Sequence, residues 1–193
     1  SQQKAFIDTW SKGSGVTVEN YNGGLGEIKA QVNSGNVKWD VVDILPDQAI
    51  TGCDEGLFEK IPQDQKMIND MIVAPLSDCV VPQIFWSYVV FFDKNNFPGK
   101  KPKKIKDFFD VKKFPGKRGV HTWANGLVEM ALVADGVKPS KVYDVLSTSE
   151  GVERAFRQLD KIRDHVVFWS AGAQPLNLVA SGEVVMSIAY NGR

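Results

Sequence analysis

Residues 171–193 read Ala171-Gly172-Ala173-Gln174-Pro175-Leu176-Asn177-Leu178-Val179-Ala180-Ser181-Gly182-Glu183-Val184-Val185-Met186-Ser187-Ile188-Ala189-Tyr190-Asn191-Gly192-Arg193. The amphipathic run 175–180 predicts a short helix, and Ser181-Gly182 supplies its stop. Residues 183–190 are mostly apolar and of strand length, so they predict a buried strand. A helix delivering a buried strand is half of an α/β unit. The strand ends on an aromatic ring, an amide and a glycine. In open α/β sheets the crevice beyond the strand ends takes small molecules, so Tyr190 is a candidate contact. A strand-end aromatic is also ordinary rim packing.

The same alternation runs through the rest of the chain. Residues 3–11 place Ala5, Phe6, Ile7 and Trp10 on one helical face, stopped by Lys12-Gly13-Ser14-Gly15. Residues 16–21 alternate as a strand, 27–33 read as a helix, 39–44 as a second strand and 47–56 as a region holding a short helix. The longest β-rich run is 79–92, long enough to pass from one sheet to another. A Pro-, Gly- and Lys-rich loop at 95–106 leads to a short helix at 105–110. Strands at 119–122 and 166–169 then alternate with helices at 127–135, 140–146 and 150–163. The class predicted is α/β with a parallel sheet.

Twenty-three basic residues balance 23 acidic ones, which argues against a nucleic-acid partner. With 43% hydrophobic and 24% charged residues, the chain has material for a sizeable core. No apolar run reaches the ~20 residues that span a bilayer. Cys53 and Cys79 show no zinc-ligand spacing to each other or to His121 and His165, so no metal site is expected. Two free thiols or one disulfide both remain open.

Gly23-Gly24-Leu25-Gly26-Glu27-Ile28-Lys29 sits where dinucleotide loops sit, but Lys29 stands in place of the third glycine. It reads as a tight turn, and no cofactor is expected. Lys100-Lys101-Pro102-Lys103-Lys104-Ile105-Lys106 is a basic run, read as a solvated loop. Phe114-Pro115-Gly116-Lys117-Arg118-Gly119 is turn chemistry before a buried strand. Trp123 and Asn125 join a strand to a helix, and Trp169 and Gln174 flank a second such junction. A tryptophan face there suits a cation or an apolar stem, though Trp123 could equally be core. Asp43 lies at the C-terminal side of the predicted strand at 39–44 and is the better ligand carboxylate, with Asp40 capping or pairing locally. Neither G-x-S-x-G nor H-E-x-x-H occurs, so no catalytic residue is assigned.

Four blocks carry a resemblance: Trp39-Asp40-Val41-Val42-Asp43; Asp107-Phe108-Phe109-Asp110-Val111-Lys112-Lys113-Phe114-Pro115-Gly116-Lys117-Arg118; Gly151-Val152-Glu153-Arg154-Ala155-Phe156 with Leu159-Asp160-Lys161-Ile162; and the closing stretch quoted above. In this order they resemble the bacterial extracellular solute-binding proteins of ABC importers, in the spermidine/putrescine-binding branch. The resemblance implies a two-lobed, type II periplasmic-binding-protein-like fold that closes like a hinge. The first lobe would be 1–84, the second 85–189, and 190–193 would begin the second hinge crossing.

The resemblance further implies export to the periplasm, an ABC permease as partner, a monomer when full length, and no enzymatic activity. An enzyme or a ligand-sensing domain on a similar fold is the alternative. An exported setting favours the Cys53–Cys79 disulfide. The family opens on a strand where this chain has Ser1-Gln2-Gln3-Lys4, so a fragment is expected, lacking the first strand, the C-terminal return segments and a signal peptide. The solute would be small and cationic or amphipathic, polyamine-like, held by Asp43, Trp123, Asn125, Trp169, Gln174 and Tyr190. Where polyamine binders carry two acidic residues before the Met130-Ala131-Leu132 helix, this chain has Trp123 and Gly126.

Overall fold

The computed structural model describes residues 2–21 and 23–192. Arg193, the last residue of the expected hinge crossing, lies outside them. The chain divides into two compact units, Ser1–Phe85 and Trp86–Arg193.

The first unit is helical, with α1 (Asp8–Ser14), α2 (Leu25–Ser34), α3 (Pro46–Asp54) and α4 (Gln65–Asp70). A wider helical turn at Gln3–Ile7 leads into α1. The short helix α4 carries too few apolar residues to show a periodicity in the sequence. Its start is set by Asp64, whose carboxylate accepts the Lys66 N–H at 2.9 Å. The carboxylate of Glu27 likewise reaches back to the Gly24 N–H at 2.9 Å and caps α2. A Cβ on Gly23 would lie 2.2 Å from the Trp39 ring, so the glycine turn exists to admit a tryptophan. The disulfide implied by the resemblance is present, Cys53 to Cys79.

The strands expected at 16–21 and 39–44 do not form. Among the described residues neither segment enters a ladder, and Val41 is 90% exposed. Alternation marks a segment able to pair; a strand also needs a hydrogen-bonding neighbour, and neither segment has one in this unit. For the same reason only Tyr88–Phe92 of the run 79–92 is a strand.

The second unit holds the sheet. Its strands are β1 (Tyr88–Phe92), β2 (Arg118–His121), β3 (Val166–Trp169) and β4 (Met186–Tyr190), in the order β1-β4-β2-β3. β2 runs parallel to β3 and β4, as expected, but β1 pairs antiparallel to β4, so the sheet is mixed rather than parallel. The register sets Tyr88 opposite Tyr190 and Phe92 opposite Met186. Central β4 is buried from Met186 to Ala189, which is why its sequence reads as one apolar run.

Helices α5 (Ile105–Phe108), α6 (Leu127–Ala134), α7 (Val142–Leu146), α8 (Ser149–Asp160) and α9 (Gln174–Ala180) complete the unit. Phe108, Phe114, Val120, Leu132, Ile162 and Ile188 belong to its one core. Thr148 caps α8 by accepting the Gly151 N–H at 3.0 Å. Arg118 is wholly buried and spends its guanidinium on carbonyls: Nε on Phe108 (2.8 Å), Nη1 on Gly116 (2.6 Å) and Nη2 on Phe114 (2.6 Å). Burial pulls its pKa down to about 10, with the Asp110 charge working the other way. Arg118 thus ties the turn 108–116 to the sheet, in keeping with the structural reading of that motif.

Candidate functional site

Because β1 is antiparallel, its first residue shares one end of the sheet with the last residues of the other three strands. That end is aromatic. Tyr88 stacks on Tyr190 with ring centroids 5.0 Å apart, and Trp86 sets its edge against both at 5.1 Å. His121, at the end of β2, lies 4.4 Å from the Trp169 ring and 4.5 Å from the Trp123 ring. Trp169 meets Tyr190 edge-on at 5.8 Å. Six rings therefore form one connected cluster.

Burial divides their roles. Trp169 is 1% exposed and forms the floor, whereas Trp123 is 48% exposed and offers a free face. The Trp169 Nε1–H is buried without a hydrogen-bond partner among the described residues. An orphan donor of this kind costs about 1–3 kcal/mol, and such costs concentrate at functional sites. Nδ1 of His121 accepts the Trp123 backbone N–H at 2.9 Å, which places the proton of the neutral ring on Nε2. Burial lowers the His121 pKa, opposed by a hydrogen bond with the Ser170 backbone. Burial, then the hydrogen bond with Tyr190 (O···O 3.4 Å), raises that of the Tyr88 phenol. The charge of Glu129, in the first turn of α6, adds to that rise; Glu129 Oε1 accepts from the Tyr143 hydroxyl at 3.4 Å, and its Oε2 is buried without a hydrogen-bond partner among the described residues.

Gly126 shapes the cluster. Its φ of +79° lies in the left-handed region, and a Cβ there would stand 2.3 Å from Tyr88 Cδ2. The turn before α6 can close over Tyr88 only with glycine at this position.

Of the residues read from sequence, Trp123, Trp169 and Tyr190 come together. Asn125 is exposed in the turn before α6. Gln174 is exposed, but its Oε1 accepts the N–H groups of Ser170 (2.8 Å) and Ala171 (2.7 Å) and so holds its own loop. The amide of Asn191 is similarly spent, accepting the Ser87 N–H at 3.0 Å and extending the β1–β4 pairing. Asp43 lies in the first unit, exposed, with no strand before it, and accepts from Gln2 Nε2 at 2.8 Å. Sequence reasoning missed Trp86, Tyr88 and His121 as site residues. The signal available was the aromatic pair Trp86 and Tyr88 at the start of a β run. Among the described residues the one grouping with metal-ligand chemistry is Cys53, Asp78 and Cys79, whose two sulfurs are bonded to each other.

Comparison with known proteins agrees with this architecture. The chain is 41% identical over 198 residues to a gamma-aminobutyric acid-binding protein of Pseudomonas aeruginosa, spanning 100% of this chain and 55% of that one. An ABC transporter substrate-binding protein from Bradyrhizobium japonicum superimposes with a TM-score of 0.80 at 37% identity, over 99% of this chain and 59% of the other. A solved GABA receptor superimposes at 0.83 with 34% identity, over 99% and 58%. The chain thus spans little more than half the length of these relatives. The pattern shared by bacterial extracellular solute-binding proteins matches residues 6–193. With that match across nearly its whole length, the chain belongs to the family of bacterial extracellular solute-binding proteins.

Proposed function

We propose that the chain is the solute-capturing portion of an ABC importer's binding protein, working in the periplasm with a membrane permease. Its solute is a small amphipathic molecule with an ammonium group, of the γ-aminobutyric acid type. The six-ring cluster carries this reading. Ring faces attract an ammonium group and cover a short methylene chain, and the half-exposed face of Trp123 is open to both. A carboxylate must complement the ammonium. Glu129 is the candidate on the second unit: its Oε1 accepts from the Tyr143 hydroxyl at 3.4 Å, and its buried Oε2 has no hydrogen-bond partner among the described residues. A polyamine needs a carboxylate at each end. Trp123 and Gly126 at the positions of the two acidic residues weigh against one, and two relatives named for γ-aminobutyric acid favour the shorter zwitterion.

Tryptophan-fluorescence titration of the full-length protein tests this, with γ-aminobutyric acid, putrescine, spermidine, betaines and α-amino acids as the panel. The ω-amino acid should bind most tightly. Trp123→Ala and Tyr190→Ala should each weaken it by about 1–3 kcal/mol, the scale of a lost buried aromatic contact. Glu129→Gln should weaken every ammonium solute and leave the fold intact. A panel that gives no response, or affinities that both ring variants leave unchanged, would overturn the proposal.

A further inference from the structure

The balanced charge of the whole chain conceals a sharp division. Residues 1–85 carry six basic against 12 acidic residues, and residues 86–193 carry 17 against 11. The excess in the second unit is confined to residues 93–117, where nine lysines face three aspartates; the remainder of the unit balances.

These lysines stand on a built platform. All nine are exposed, while the aromatic residues between them, Phe97, Phe108, Phe109 and Phe114, are buried in the core. Asp107 orders the segment from beneath: Oδ2 accepts the N–H groups of Lys103 (2.8 Å) and Lys104 (3.1 Å), and Oδ1 accepts from Lys113 Nζ at 3.2 Å. Arg118 anchors the same segment through the carbonyls of Phe108 and Phe114. Among the described residues Lys113 is the only one of the nine in an ion pair. At the centre of the strip Ile105 is 41% exposed.

The strip is remote from the ring cluster. It leaves the end of β1 at Phe92 and enters the start of β2 at Arg118, and both pair with Met186 at the start of β4. The rings gather at the other end of β4, around Tyr190.

From the unpaired lysines, their rigid support and the apolar Ile105 among them, we infer that residues 94–117 form a docking surface for anionic phospholipid on the pole of the second unit opposite its ring cluster. Clustered lysines are drawn to anionic headgroups, and an exposed apolar side chain among them enters the headgroup boundary. Nucleic acid fits less well, since it rewards exposed rings for base stacking and the rings here are buried.

The test is flotation of the full-length protein with vesicles of phosphatidylcholine alone or with phosphatidylglycerol at about one lipid in three. Each lysine near an anionic surface contributes roughly fivefold in partition, so Lys101→Gln/Lys103→Gln/Lys104→Gln should lower binding to the anionic vesicles about a hundredfold. Raising salt from about 50 to 300 mM should do likewise. Ile105→Asn, which removes the apolar side chain without changing charge, should lower vesicle binding while leaving retention on a heparin column nearly unchanged, which separates a lipid surface from a mere polyanion. Solute affinity and thermal melting should be unaltered in both variants, showing that they fold. Equal partition to neutral vesicles, full binding by the triple variant, or tighter binding to single-stranded DNA than to the anionic vesicles would overturn the inference.

Discussion

At the scale of single residues, His121 is the pivot of the aromatic end. It touches Trp123 on one side and Trp169 on the other, and its Nδ1 fixes the backbone at Trp123. Its pKa in the folded state is depressed by burial below the usual 6.5. The unfolded chain therefore takes up the proton first as pH falls. The contribution of neutral His121 is fully present above about pH 6.5 and is lost as pH drops toward the folded value. Thermal melts of the wild type and of His121→Asn, whose Oδ1 can still accept the Trp123 N–H, should draw together between pH 7.5 and 5. Parallel loss of stability by both proteins would show that His121 does not titrate in this window.

At the scale of elements, two glycines set how helices meet their neighbours. A Cβ on Gly126 would strike Tyr88, and one on Gly151 would fall 1.8 Å from the Val145 carbonyl oxygen, where α8 leaves the end of α7. Gly151→Ala must therefore force the backbones of α7 and α8 away from each other. It should cost on the order of 1–3 kcal/mol in urea unfolding with solute affinity kept once folded. Gly126→Ala should show the converse balance, with weaker solute binding for a modest loss of stability, because the group it displaces is a ring of the proposed site. Element by element, the second unit was legible. Its strands are short apolar runs between clear stops, and α6, α8 and α9 keep their expected extents to within a few residues. The strands at 16–21 and 39–44 were misread because periodicity reports what a segment could pair with, and pairing needs a neighbour. Strand-end position is what brings Trp169 and Tyr190 into the candidate set, and the structure places both in the ring cluster. Tyr88 was hidden because it begins its strand: only the antiparallel direction of β1 carries it to the site, and residue pattern does not encode direction.

At the scale of the whole molecule, the two units are held in different ways. The second has a four-stranded sheet and one continuous core. The first has no ladder among its described residues and is closed by Cys53–Cys79, 26 positions apart. In the chain-entropy account a closure of that length is worth about 3.5 kcal/mol. Reduction of the full-length protein should therefore speed amide exchange across residues 46–80 and leave β2 and β4 protected. Hydrogen exchange read by mass spectrometry with and without dithiothreitol checks this, and uniform loss of protection in both units would refute it.

The bridge also has a covalent consequence. Both cysteines lie within the first unit, so the polypeptide backbone is the one bond path joining it to the second. A single protease cut between Phe85 and Trp86 should sever the described chain without any reductant. A species with no net charge would then become an anionic piece six units below neutrality and a cationic piece six above. Run in urea, the first should stay on an anion exchanger and the second on a cation exchanger, whereas the uncut chain would be held weakly by either resin.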